Sequence, residues 1–181
     1  CAVPLALDGL GSLFVVFPRA GTTVTSGRGS RNEPPLARLK EITGPWSLRF
    51  EPGGGGPGDI RMPRLASWSE HPDPGVRYYS GTVRYLKTFD VAGDWTGGPL
   101  YLELGTVREL ARITLNGQRL ASLWKPPFRV DISRAVRPGE NRLEIDVVNL
   151  WVNRLIGAAA LAPERKVAAV NWNPYKADSP L

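Results

Sequence analysis

A chain of 181 residues holds one sizeable core with extra segments, which excludes two full domains. Its 42% hydrophobic and 22% charged content is ordinary for a soluble globular protein, while 20 glycines and 17 prolines favour many turns and so β structure. The formal net charge of +6 raises nucleic acid or another anionic polymer as a partner, but Arg49, Arg61, Arg84, Arg112, Arg129 and Arg142 stand singly, in no tract or helical stripe; that is the pattern of a solvated surface and argues against nucleic acid.

The opening CAVPLALDGLGSLFVVF has no basic leader, is interrupted by Asp8 and Gly9, and does not reach transmembrane length, so neither a signal peptide nor a membrane partner is expected. The lone Cys1 permits no intrachain disulfide and no cysteine metal cluster, and it leaves the compartment undetermined; a secreted or periplasmic parent fits. A chain that starts without Met and enters a strand-like run almost at once is expected to be cut from a longer polypeptide, although an amino-terminal Cys also suits lipid modification.

Residues 13–17, apolar and bounded by Gly11 and Pro18, predict a buried strand, here assigned with residues 1–17 to the end of a preceding domain. Residues 18–40 are polar, with Gly, Ser, Thr and Pro throughout, and read as a linker. From residue 41 to 181 the pattern becomes short strands between strong turns. PWSLRF is the first strand and EPGGGGPGD a flexible loop. In GTVRYLKTFDV, Val83, Tyr85, Phe89 and Val91 share one face and Arg84, Thr88 and Asp90 the other, with Leu86 and Lys87 as exceptions. PLYLELG alternates Leu100, Leu102 and Leu104 with Tyr101 and Glu103. ELARITLNGQRL predicts a hairpin, because Asn116 and Gly117 tolerate the positive φ of a type I′ turn. PFRVDIS and RLEIDVVNLW alternate in the same way on either side of RPGEN. Only LARLKE and ISRAV suit a helical turn, and beyond Trp151 an irregular strand or loop is expected to drape over the domain. The whole predicts an all-β chain, an antiparallel sandwich or jelly roll.

Few residues offer chemistry. GGGGPG satisfies G-x-G-x-x-G at Gly53, Gly55 and Gly58, but Pro57, Pro63 and the absence of a following helical period remove the dinucleotide reading. His71 is the one histidine; Ser69 and Asp73 beside it in one loop lack the separation of a catalytic triad. Glu103, Asp131, Glu144 and Asp146 are expected on solvent faces, with no spacing that makes two converge, so a small stand-alone glycosidase is an alternative and not the leading reading. No cofactor is expected; a structural Ca²⁺ held by loop carbonyls with Asp59, Asp73 or Asp94 stays open, unsupported by an Asp-rich loop. The aromatic residues say more. Trp68, Tyr78, Tyr79, Trp95, Trp124 and Trp151 fall near turns or strand ends, where a ring can stack on a sugar or close the end of the core. Core is the commoner fate, and Trp68 and Trp124, flanked by Pro and charge, are the expected exposed pair.

LNGQRLASLWKPPFRVDISRAVRPGENRLEIDVVNLW resembles the sugar-binding jelly-roll domain of glycoside hydrolase family 2, and ASWSEHPDPGVRYYSGTVRYLKTFDV, VNLWVNRLIG and NWNPYKADSPL resemble the carboxy-terminal region of glycoside hydrolase family 106, the α-L-rhamnosidase-like enzymes, with GSLFVVF similar to the strand closing the domain before it. The resemblance covers nearly all the chain outside the linker. It departs at Ala158, where family members often carry an acidic residue, and after SPL, where they continue into a further strand, so the sandwich is expected to lack its last strand. The resemblance implies a galactose-binding-like fold, catalytic carboxylates in a preceding domain and none here. Trp68, Tyr78, Ser80, Gly81, Tyr85, Asn149, Trp151, Asn153, Arg154 and Pro174 match its pattern, mostly in structural roles, with Arg154 expected to anchor the carboxy-terminal loop by a buried charge-assisted hydrogen bond.

The expected function is a noncatalytic domain that binds carbohydrate, or supports its binding, beside a catalytic domain of a polysaccharide-degrading parent. Trp68, Tyr78, Tyr79, Trp124, Asn153 and Arg154 are the candidate sugar contacts, with no catalytic or metal residue; a purely structural interdomain module is the alternative.

Overall fold

The computed structural model describes residues 7, 11–14, 16, 36–160, 170 and 172–181. The chain divides into two compact units, Cys1–Glu41 and Ile42–Leu181.

In the first unit, Leu13, Phe14 and Val16 carry no strand pairing and are exposed, Phe14 at 91%. The buried strand expected over residues 13–17 is therefore not formed by these three, and Val15 and Phe17 lie outside the described residues. An apolar run becomes a strand only beside a partner, and no described strand pairs with it. Of the expected linker, residues 18–35 lie outside the described residues and residues 36–40 are irregular. LARLKE forms no helical turn; Arg38 and Glu41 form an ion pair at 3.4 Å between exposed side chains.

The second unit is built on eight strands: β1 (Trp46–Phe50), β2 (Asp59–Met62), β3 (Thr82–Val91), β4 (Tyr101–Glu103), β5 (Leu110–Leu115), β6 (Gln118–Leu123), β7 (Arg129–Asp131) and β8 (Gly139–Val148). Six form one antiparallel sheet in the order β2-β1-β3-β8-β5-β6, and β4 pairs with β7 in a second. The fold is all-β and sandwich-like, as the strand periods predict. Val83, Tyr85, Leu143 and Ile145 face inward from the ten-residue β3–β8 ladder and share one core with Leu102 and Val130 of the small sheet. Lys87 breaks the alternation by stretching along the core: its Nζ donates to Pro45 O at 2.9 Å and lies 5.7 Å from the centre of the Trp46 ring.

The predicted hairpin joins β5 to β6 through Asn116 at φ 53° and Gly117 at φ 81°, with Leu115 opposite Gln118. ISRAV makes a single turn, its Ala135 and Val136 N–H groups both bonding to Ile132 O.

Three elements go beyond the sequence reading. β2 follows the glycine run. A four-residue helix α1 (Pro74–Arg77) starts on Asp73, whose carboxylate accepts from Gly75 N at 2.7 Å. Helix α2 (Val152–Ala159) occupies ground expected to be irregular, burying Ile156, Gly157 and Ala158. Residues 161–169 lie outside the described residues, and residues 172–181 are irregular, tied to α2 where Asn173 Nδ2 donates to Leu155 O at 2.9 Å.

The registers give the sandwich two unlike ends. Asp59 opposes Arg49, Thr82 and Leu110 both oppose Val148, and Ala111 opposes Leu123, so the loops 51–58, 78–81, 105–109, 124–128 and 149–151 leave the same end. The opposite end holds the Asn116–Gly117 turn and the turn at 137–139.

Candidate functional site

The end carrying five loops is assembled around Asn149, just past β8. Its Oδ1 accepts from Gly81 N at 3.0 Å and its Nδ2 donates to Tyr79 O at 2.8 Å, which fixes the 78–81 segment against β8. Ser80 Oγ donates to Leu150 O at 2.8 Å and accepts from Arg154 N at 3.3 Å, adding the first turn of α2. A Cβ on Gly157 would lie 2.6 Å from Tyr78 Cβ, so the glycine of NRLIG lets α2 pack directly on Tyr78.

The six candidate contacts separate by burial. Trp68 is 7% exposed and Tyr79 1%. Tyr79 meets Phe50 edge-on with centroids 4.8 Å apart, Trp68 stacks on Tyr85 at 6.4 Å, and Trp68 Nε1 donates to the Tyr85 hydroxyl. Neither ring offers a face to a sugar without opening the core, so the expectation that they stack on ligand is corrected: both are core aromatics. Burial pushes the Tyr85 phenol up to about 12 and raises that of Tyr79. Tyr78, Asn153 and Arg154 are half-buried, and Trp124 is 70% exposed. All four belong to the five-loop end. β6 and β8 are separated by one strand, so the segments carrying Trp124 and Asn149 leave the sheet about 10 Å apart.

Trp151, 64% exposed beside exposed Leu150, belongs to the same end. The sequence marked it as a family position without giving it a sugar contact, because its direction depends on α2. Trp172 is also exposed, next to the Asn173 that holds Leu155.

The glycine run is a packed segment and not a free loop. A Cβ on Gly56 would fall 2.8 Å from Phe50 Cβ, and one on Gly55 2.9 Å from Arg154 Nη1. Arg154 therefore lies against this loop. Among the described residues its side chain makes no hydrogen bond to residues 172–181, which correct the expected anchor: Asn173 provides that tie.

The carboxylates are engaged elsewhere. Asp146 pairs with Arg84 at 2.7 Å, Glu144 with Arg142 at 3.2 Å, and Glu103 lies 3.6 Å from Arg129. The Ser133 hydroxyl and N–H lower the Asp131 carboxyl. Register also explains the scattered arginines: Asp59, Arg49, Arg84, Asp146 and Arg112 form one row across five strands on the outer sheet face, in which Arg49 adjoins Asp59, Asp146 stands between Arg84 and Arg112, and Arg49 and Arg84 are neighbouring cations. His71 accepts from Asp73 N at 3.1 Å and its carbonyl takes the Arg77 Nε hydrogen, a turn role. Among the described residues no group of three or more His, Cys, Asp or Glu could hold a metal ion, and no helix is long and apolar enough to cross a membrane.

No protein-family model matches the chain. In fold and sequence it is similar to part of a rhamnosidase from Novosphingobium sp. PP1Y, at 38% identity and a TM-score of 0.74 over 84% of this chain and 15% of that one. A protein of Formosa agariphila assigned as a β-glucuronidase is 42% identical over 118 residues, which are 64% of this chain and 10% of that protein. A β-glucuronidase of Paenibacillus borealis is 32% identical over 141 residues, 70% of this chain and 23% of that enzyme. The chain thus resembles a small part of larger glycoside hydrolases, spanning 10% and 23% of the two curated relatives it matches.

Proposed function

We propose that the chain is a noncatalytic accessory domain of a multidomain glycoside hydrolase related to family 106, with a jelly-roll fold of the galactose-binding type that contacts glycan through its five-loop end. The observation that carries this reading is the gathering of exposed Trp124 with half-buried Tyr78, Asn153 and Arg154 at that end. Trp124 supplies the stacking surface and the polar side chains the hydroxyl contacts. Engagement of Asp146, Glu144, Glu103 and Asp131 by arginines and Ser133 supports a role without catalysis. Similarity to rhamnosidase and β-glucuronidase segments supports a carbohydrate-acting parent.

Calorimetric titration with L-rhamnose, galactose, glucuronic acid and a rhamnogalacturonan oligosaccharide tests it. Saturable heat that disappears in Trp124→Ala is the expected result, and no heat with any sugar overturns glycan binding by this domain. A second reading, a structural interdomain module, is favoured by exposed Leu150, Trp151 and Trp172. It predicts that the remaining domains of the parent quench Trp151 and Trp172 fluorescence when added in trans, with no sugar present.

A further inference from the structure

Arg154 is placed unlike Arg77 and Arg129, the other half-buried arginines among the described residues. Among the described residues, Arg49, Arg84, Arg129 and Arg142 each reach a carboxylate, and half-buried Arg77 donates to His71 O. Arg154 is half-buried as well, yet no carboxylate of the described residues lies within ion-pair reach and its guanidinium makes no hydrogen bond to them. Partial burial removes water from a guanidinium, and an anion is its best replacement.

The group is held in place. Its backbone N–H meets Ser80 Oγ, the hydroxyl closes on Leu150 O, and the guanidinium rests on Gly55, where a side chain would collide with it. Tyr79 beneath has committed its proton to Thr82 O and Glu51 O, so it presents no competing anion. Trp151 stands three residues before Arg154 with helical φ and ψ of −68° and −10°, so the two share one helix face. An exposed indole and a fork of N–H donors without an acceptor among the described residues thus occur one turn apart.

We propose that Arg154 and Trp151 form a subsite for an acidic sugar, the guanidinium taking the carboxylate of a hexuronic acid and the indole lying against its ring. The subsite rests on the glycan-binding reading given above and names the ligand class. A planar carboxylate matches the two-pronged geometry of a guanidinium, whereas a neutral sugar offers only single hydroxyl acceptors.

The 181-residue chain is titrated with an oligogalacturonide, with its fully methyl-esterified form and with a neutral galacto-oligosaccharide, all at moderate salt. The acid is expected to bind at least tenfold more tightly than the ester. Arg154→Gln should abolish that preference, Arg154→Lys should retain part of it, and Arg112→Gln on the outer sheet face should leave it intact. Thermal melting of each variant separates lost folding from lost binding, and Arg154→Lys carries the test should Arg154→Gln unfold. Equal affinity for acid and ester overturns the acidic subsite while glycan binding stands. An acid preference that survives Arg154→Gln also overturns it, because the anion is then held elsewhere. Failure of all three sugars to bind overturns the subsite, and overturns the glycan-binding reading with it if L-rhamnose and the rhamnogalacturonan oligosaccharide also fail to bind.

Discussion

Asn116 and Asn141 meet amide to amide at the turn end of the sandwich: Asn116 Nδ2 donates to Asn141 Oδ1 at 2.8 Å and to Ala135 O at 2.8 Å, while Asn116 Oδ1 accepts from Arg142 N at 2.9 Å. Asn141 is 1% exposed and completes the network, accepting from Arg137 N and donating to Arg137 O and Gly139 O. The NG of the hairpin and the N of PGEN, far apart in sequence, are one connected device.

Asn141→Ala should therefore destabilise the fold by about 3 kcal/mol, since it leaves the Arg137 N–H, one Asn116 amide N–H and two carbonyls without their partner. Asn141→Asp should be at least as harmful, because its carboxylate faces the Arg137 and Gly139 carbonyls. Urea unfolding measures both; a loss below about 1 kcal/mol for either would mean that water satisfies the site.

Two tryptophans flanked alike should respond oppositely. Trp68→Ala empties a packed site between Phe50, Tyr79 and Tyr85 and should cost about 3–5 kcal/mol. Trp124→Ala removes a ring that is 70% exposed and should change stability by about 0.5 kcal/mol or less while reducing glycan affinity. Thermal melts of the two variants side by side decide this, and similar losses would refute the core-versus-surface division.

Gly157→Ala should lower stability by about 2 kcal/mol, because the new methyl meets Tyr78 Cβ, a point near the backbone that cannot swing away. Pairing it with Tyr78→Gly, which removes the Cβ as well as the ring, should recover much of the loss. A double-mutant cycle with no coupling would remove the contact as the reason for this glycine.

Alkaline pH should weaken the fold through Tyr85. Its folded phenol is pushed up to about 12 by burial, against about 10 in the unfolded chain. The stabilisation is fully present below the unfolded value and is lost as pH rises toward the folded one, since the unfolded state releases its proton first. Stability should fall by on the order of 2 kcal/mol between about pH 10 and 12. Tyr85→Phe should show a shallower decline in denaturant titrations across that range, and an identical slope would contradict the assignment.

Much of the sandwich was legible because its signals are local. Val83, Tyr85 and Val91 alternate within one strand, and Asn116–Gly117 specifies its turn without distant help. α2 was not legible: it has eight residues, no side-chain cap at Trp151, and a glycine whose purpose is contact with Tyr78, seventy-nine residues earlier in the sequence. The site suffered for the same reason. Trp68 and Trp124 have similar neighbours, and what separates them is the long-range company of Phe50, Tyr79 and Tyr85. The arginines looked dispersed because their row runs across strands and not along one. Arg154 was assigned to the wrong loop because the glycine run gave no local sign that it folds back beneath it.

The unlike ends of the sandwich bear on how such a domain can be altered. Register is set at the turn end, where the asparagine pair clamps β5 to β8, so a residue inserted there would shift whole ladders. At the other end, 105–109 and 124–128 connect strands already in register, and lengthening them would extend a surface without disturbing the core. Loop exchange at those two segments, with Asn149 and Ser80 left untouched, would make the domain a chassis whose exposed surface can be rewritten while its folding instructions stay the same.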